Sequence, residues 1–225
     1  MCGRFANIET EQTLKATFKV SLPPGQHGHN RMPRYNISPG VEIETVINAE
    51  NSRHITKMHW GFSLGQMPKP VINARGETIF EKPSFVALAR GARCLVMATG
   101  WYEWKAPRQP YFIRHADHTP MAMAGLYQKT EKGFATVVVT RQAAGRLGDI
   151  HHRAPLILDD ALMEAWLDPE SREADLKGII TPTEGEGLEW VPVSAEVGQV
   201  RADHAGLIVA DETHGKPPSP QLDLF

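Results

Sequence analysis

Phe134-Ala135-Thr136-Val137-Val138-Val139-Thr140 is the most strand-like stretch of this 225-residue chain. Three valines in a row between threonines lose side-chain freedom in a helix and pack well on a pleated surface. The stretch is therefore read as a strand at the centre of a sheet. Towards the amino terminus, runs at 120–127, 110–115 and 93–99 extend the same pattern. Val41-Glu42-Ile43-Glu44-Thr45-Val46-Ile47 alternates with period two, the mark of a half-buried strand, and 54–60 follows it. Towards the carboxyl terminus, strands are expected near 188–193 and 206–210. Residues 9–19 are read as a short helix because Leu14 and Phe18 share a face at i, i+4. Residues 160–167 read as a second helix, capped by Asp159 or Asp160 and stopped by Pro169. Residues 21–40, rich in Pro, Gly, His and Asn, read as a long loop ending at the Pro39-Gly40 turn. Several strands with few, separated helices predict an α+β protein: a single domain over 1–212, built on a curled mixed or antiparallel β-sheet, barrel-like, with a few peripheral helices.

Composition narrows the classes. A hydrophobic fraction of 41% supports a real core, and the chain length suits one large domain. Two cysteines, Cys2 and Cys94, give neither a disulfide framework nor a zinc pattern, so no metal and no cofactor are expected. Cys94 lies in the apolar run Arg93-Cys94-Leu95-Val96-Met97-Ala98 and is expected to be a buried strand residue. Arg4 and Glu9 interrupt any signal-like stretch, and no run reaches the roughly 18 apolar residues of a membrane span. The expectation is a cytoplasmic monomer in a reducing compartment, without membrane contact. The net charge of −2 hides an asymmetry. Residues 1–156 carry 20 Lys+Arg against 11 Asp+Glu, and residues 157–225 carry 4 against 15. Such a split suits a basic face that meets a polyanion.

Cys2 stands directly behind Met1 in Met1-Cys2-Gly3-Arg4-Phe5. Removal of Met1 would expose an amine and a thiol on neighbouring carbons, with reference pKa values of about 7.7–8.0 and about 8.5, so both are partly available near neutrality. The amine condenses with an aldehyde to an imine, and the adjacent thiol can close a five-membered thiazolidine. An internal cysteine cannot do this.

Four more segments carry chemistry. Asn73-Ala74-Arg75 supplies an amide that both donates and accepts, and a guanidinium fork suited to phosphate. In Gly100-Trp101-Tyr102-Glu103-Trp104-Lys105, a strand would place Trp101, Glu103 and Lys105 on one face. The local pattern favours an exposed Glu103 beside core tryptophans. If aromatics instead bury it, its pKa rises and it suits proton transfer. His151-His152-Arg153 offers imidazoles and a phosphate-binding fork, but two adjacent histidines seldom chelate one metal. Arg31 to Gly40, with His59-Trp60-Gly61-Phe62, interleaves basic and aromatic residues as single-stranded nucleic-acid binders do, or serves as turns and core.

Together these segments resemble a known family. Met1-Cys2-Gly3-Arg4-Phe5, Arg34-Tyr35-Asn36-Ile37-Ser38-Pro39-Gly40, Trp60-Gly61, Asn73-Ala74-Arg75-x-Glu77-Thr78, Gly100 to Lys105, Ile150-His151-His152-Arg153-x-Pro155 and Val191-Pro192-Val193-Ser194 occur in the order seen in SRAP (SOS response-associated peptidase) proteins. The resemblance implies a protein that binds single-stranded DNA and traps abasic sites covalently through the mature amino-terminal cysteine. It makes Cys2 the nucleophile and Asn73 the group that orients the opened sugar or the cysteine amine. It makes Glu103 the proton shuttle and His151 the donor to the sugar ring oxygen. Arg4, Arg75 and Arg153 would contact phosphates, with Asn36, Pro39 and Trp60 also on the DNA. The peptidase of the family name is read as removal of Met1. Two departures bear on DNA affinity: Ser63-Leu64-Gly65-Gln66-Met67-Pro68 lacks the aromatics common there, and Lys82 stands where an arginine is usual.

After a proline-rich spacer, residues 213–225 end in Gln221-Leu222-Asp223-Leu224-Phe225. This is similar to the pentapeptide that docks bacterial repair proteins on the sliding clamp, with Gln221 as polar anchor and Leu222, Leu224 and Phe225 as an apolar plug. Two other classes fit parts of the pattern. An amino-terminal-nucleophile amidotransferase also begins Met-Cys-Gly. A non-covalent single-strand binder needs no cysteine.

Overall fold

A computed structural model of the chain describes residues 2–20, 33–50, 52–65, 68–105 and 109–211. In chain order its first half comprises β1 (Phe5–Asn7), α1 (Glu11–Phe18), β2 (Arg34–Ile37), β3 (Glu42–Ala49), β4 (Ser52–Trp60), β5 (Asn73–Arg75), α2 (Val86–Gly91), β6 (Arg93–Ala98) and β7 (Gly100–Lys105). The second half comprises β8 (Gln109–His115), β9 (Met121–Thr130), β10 (Gly133–Gln142), α3 (Gly145–Gly148), β11 (Arg153–Pro155), β12 (Ile157–Leu158), α4 (Asp160–Leu167), α5 (Glu173–Ile179) and β13 (Leu188–Pro192).

The valine-rich strand is central, as its sequence predicts. β10 pairs antiparallel with β9 and β11, and parallel with β4 and β5. Following β10 through β4, β3, β6 and β9 returns to β10, which closes a five-stranded barrel of mixed direction. A second sheet, all antiparallel, runs β13-β8-β7-β1-β2.

Alternation along the barrel strands builds two cores from one sheet. Leu95 and Met97 of β6 pack with Val137 and Val139 against Leu14 and Phe18 of α1 and Met163 and Trp166 of α4. Their neighbours Val96, Ala98 and Val138 face the other way, onto Cys2, Phe5, Trp101 and Ile113. That second cluster is the seam where barrel and second sheet meet, and the site lies along it. A third, smaller cluster on the far side of the second sheet holds Tyr102, Phe112, Val193, Val197 and Leu207.

The two predicted helices form where their signals stand. The Thr10 side chain caps α1 by accepting from Thr13 N–H, and the helix closes at Lys19 in the left-handed region. Asp159 caps α4 by accepting from Leu162 N–H. Cys94 is a fully buried member of β6. Two expectations are corrected. Residues 206–210 are not a strand but part of a 3-10 turn, Ala205–Ile208, whose Leu207 plugs the third cluster. The long loop 21–40 contains β2, which pairs with β1 at the sheet edge. The tail with Gln221, Leu222, Leu224 and Phe225 lies outside the described residues, as do Gln66 and Met67 of the departing loop. Among the described residues no helix is long and apolar enough to cross a membrane.

Candidate active site at the seam of the two sheets

β1 enters the second sheet between β7 and β2, with Phe5 opposite Trp101 and Ala6 opposite Gly100. Tyr102 N–H donates to Arg4 C=O at 2.9 Å, so residues 2–4 run along β7 towards Glu103. On its other side β7 lies close against β8 because residue 100 is glycine: a Cβ there would meet the Ile113 carbonyl at 2.5 Å and the Phe112 ring at 2.6 Å. The pairing of β1 with β7 carries Cys2 into the seam, where it is wholly buried. Burial first, and the Glu103 charge second, push its thiol well above the ordinary range. The sulfur is therefore a neutral thiol at rest.

Glu103 is only 3% exposed, which overturns the exposed position favoured by its local pattern. Trp101 on the preceding turn of the pleat points into the seam, and Tyr102 points to the opposite core. Desolvation raises the Glu103 pKa to about 7. A carboxyl poised there takes and returns a proton at neutral pH with little penalty either way.

Asn73 reaches the same place from β5, held parallel to β10 opposite Val138. Its Nδ2 donates to the Cys2 carbonyl at 2.8 Å. Its Oδ1 is buried with no partner. An orphaned acceptor of this kind costs about 1–3 kcal/mol, and such atoms in native folds commonly await a ligand donor. Arg75, two residues on, shares the strand face of Asn73 and is exposed, its fork open to solvent.

His151 follows α3, its N–H on the Leu147 carbonyl at 3.3 Å. Nδ1 lies against the Arg153 backbone, where it accepts from the N–H at 3.0 Å or donates to the carbonyl at 3.2 Å according to the tautomer. Burial, ahead of nearby positive charge, lowers its pKa. The ring of His152 stacks on it at 4.4 Å between centroids.

The expected phosphate contacts divide. The Arg153 fork is already bidentate on Glu77, at 2.7 and 2.8 Å, and also donates to the Thr140 carbonyl at 2.6 Å. Glu77 in turn accepts from Gln142 N–H at 3.0 Å, and the Arg153 contact holds its carboxyl below the usual range against the opposing pull of burial. Sequence reasoning gave Glu77 no role; its signal was a carboxylate two residues beyond Arg75, within the reach of an arginine on another strand. Arg4 donates to Asn36 Oδ1 at 2.8 Å and to the Val197 carbonyl at 3.0 Å. Asn36 is buried, with Nδ2 against the carbonyls of Val197, Gln199 and Ala202. Asn36 thus braces the 195–202 segment rather than facing solvent. Pro39 is half-buried in the turn before Gly40, whose φ of 88° needs a glycine. Trp60 is fully buried, its indole N–H on the Ile72 carbonyl at 3.0 Å and its ring edge-on to Phe5. It is a floor residue, with no face to offer a base. Among the described residues, no three His, Cys, Asp or Glu side chains converge as a metal ion would need.

The fold thus sets a buried Cys2 between a carboxyl raised to about 7 and an amide oxygen left without a partner among the described residues. Comparison with known proteins then gives the family. The family model described as SOS response associated peptidase (SRAP) matches residues 1–200. The abasic site processing protein YedK of Escherichia coli is 31% identical over 219 residues, covering 92% of this chain and 99% of the relative. The abasic site processing protein YoqW of Bacillus subtilis is 31% identical over 225 residues, with the same coverage. A solved structure from Bacteroides thetaiotaomicron superposes with a TM-score of 0.80 at 20% identity, covering 93% of this chain and 100% of that one. A phage-related protein from Bordetella bronchiseptica gives a TM-score of 0.70 at 29% identity, covering 85% and 94%. This chain belongs to the SRAP family.

Proposed function

We propose that this protein processes abasic sites in single-stranded DNA by capturing them covalently on Cys2 once Met1 has been removed. The observation that carries the proposal is Glu103, buried against Cys2 and titrating near 7. The names of the relatives support the same substrate. In the proposed sequence His151 gives a proton to the ring oxygen of the abasic sugar as the C1–O bond breaks and the C1 hydroxyl loses its proton to water, which yields the open aldehyde. The Cys2 amine attacks the aldehyde carbon, its excess proton passes to Glu103, and water leaves to give the imine. The thiol then adds to the imine carbon while its proton goes to the nitrogen by way of Glu103, and the five-membered ring closes. A neutral, buried thiol suits this order, because it acts second, on a carbon already tethered beside it. The orphaned Asn73 Oδ1 accepts from the amine or from a sugar hydroxyl. Arg75 supplies the open phosphate contact, and Arg4 and Arg153 shape the groove with Asn36 and Pro39. Met1 is removed beforehand, either by the protein itself, which would be the peptidase step, or by an aminopeptidase.

The test is a denaturing gel of Met1-processed protein with a single-stranded oligonucleotide bearing one abasic site. A shifted band that survives boiling, persists in Cys94→Ala and vanishes in Cys2→Ala is the expected result. No band with protein whose processing is verified by intact mass would overturn covalent capture and leave non-covalent binding or amidase chemistry.

The working domain is proposed to span 1–212 and to act as a monomer in the cytoplasm, on the nucleoid when DNA is damaged. Gln221, Leu222, Leu224 and Phe225 are proposed to tether it to the sliding clamp and raise its local concentration at stalled replication sites. Deleting residues 221–225 should abolish pull-down by the purified clamp; undiminished pull-down would sink the tether.

A further inference from the structure

The histidine pair remains unexplained by the reaction as drawn, since only His151 is used. His152 lies at the exposed rim, its backbone carbonyl pinned by Ala143 N–H at 3.0 Å. Its ring lies on the His151 ring at 4.4 Å between centroids and 26° between planes, a stacked geometry. His151 is thereby gripped from two directions: the Arg153 backbone holds Nδ1 in the ring plane, and His152 covers a face. Two positive charges this close repel.

We infer that His152 is a positioning residue for His151: stacked on its ring, it fixes the plane of that ring and sets the pH window in which His151 works. The idea rests on the proposed function for its kinetic consequence but not for its electrostatic one. The charged and titratable groups set against His151 are the chain's amino terminus, His152 and Arg153. Glu77, from the turn after β5, answers Arg153 through its bidentate pair, so the Arg153 charge is balanced locally. Positive charge on His152 bears directly on His151 across the stack. A proton on His152 makes His151 resist a proton of its own.

Two variants separate the electrostatic part from the steric part. His152→Phe keeps an aromatic face on His151 and removes the charge; His152→Gln removes both. The first readout is an NMR titration of the His151 ring in the free protein. In both variants its midpoint should rise by about 0.5–1 pH unit, the size expected for losing one charge at this separation near a wet surface. The second readout is the pH profile of adduct formation on the abasic oligonucleotide. His152→Phe should keep the parent plateau rate and move upward the limb of that profile that His151 sets. His152→Gln should shift the same limb and also lose roughly tenfold in rate at every pH, because the ring is no longer held. An unmoved His151 midpoint in both variants would overturn the inference. If the parent forms no adduct at any pH, the proposed function fails, and the NMR titration still decides the role of His152.

Discussion

The two cysteines stand in the same fold with the same burial, yet their surroundings differ in kind. Cys94 sits in the barrel wall, paired across to Gly125, with its sulfur on the Thr136 hydroxyl at 3.3 Å. Burial pushes its thiol up to about 12. Nothing near it takes a proton at neutral pH, and the Thr136 hydroxyl donates onward to the Leu126 carbonyl, so every polar group there is satisfied. Cys2 is equally buried but lies at the seam, with a carboxyl near 7 beside it and an unsatisfied amide oxygen on the other strand. Burial alone leaves a thiol inert. Burial next to a group that exchanges protons, and to an acceptor kept unpaired, makes a site. The seam can hold such a pair because two separate sheets meet there, whereas the barrel wall is closed by strand pairing.

Two substitutions probe that contrast. The larger effect is expected at the seam, for Glu103→Gln. The change keeps the shape and removes the proton carrier, so adduct formation should fall on the order of 10²-fold or more. Stability should move the opposite way. A carboxyl raised from 4.5 to about 7 in the folded state contributes nothing adverse below pH 4.5. As pH rises from there through 7 the unfolded state gives up the proton more easily, and folding weakens by roughly 3 kcal/mol at the alkaline plateau. Glu103→Gln should therefore unfold later than the parent in urea at pH 8 and show no gain at pH 4. Equal stability of the two proteins at pH 8 would mean that Glu103 is not desolvated. The smaller effect is expected in the wall, for Gly125→Ala. A Cβ there would stand 2.7 Å from Cys94 Sγ and 3.2 Å from Thr136 Oγ1. Overpacking of this kind costs about 1–3 kcal/mol, measurable by urea unfolding, while the adduct rate of the folded protein should match the parent. A lost adduct in folded Gly125→Ala would erase the distinction between wall and seam.

The long strands were legible because β-branched runs and clean alternation are local signals, and β3, β4, β6, β9 and β10 carry them. The helices α1 and α4 were legible from their caps and one apolar face. β1, β2 and β5 were not, since three or four residues have no measurable period and gain their conformation from neighbours. Residues 206–210 misled for a related reason: Gly206-Leu207-Ile208-Val209-Ala210 is apolar enough for a strand, but Leu207 and Ile208 reach the third cluster from a 3-10 turn. At the site, residue identities were legible and environments were not. Glu103 could be exposed or buried by its own sequence; two sheets had to meet before desolvation was decided. Trp60 and Asn36 read as surface contacts because aromatic and amide side chains bind nucleic acid, but those groups also build cores and brace loops. Arg153 read as a phosphate fork because Glu77 lies 76 residues away along the chain.

The latch between Arg4 and the Val197 carbonyl ties together parts of the chain separated by 193 residues. During synthesis residue 4 leaves the ribosome long before residue 197 exists. At the usual 5–20 residues per second the interval is on the order of 10–40 s. Through all of it the amino-terminal segment lacks the acceptor that later fastens it, and β1 must also wait for β7. A processing enzyme waiting at the ribosomal exit would meet Met1 on an unanchored end, and the nucleophile would be sealed into the seam only after its amine had been uncovered.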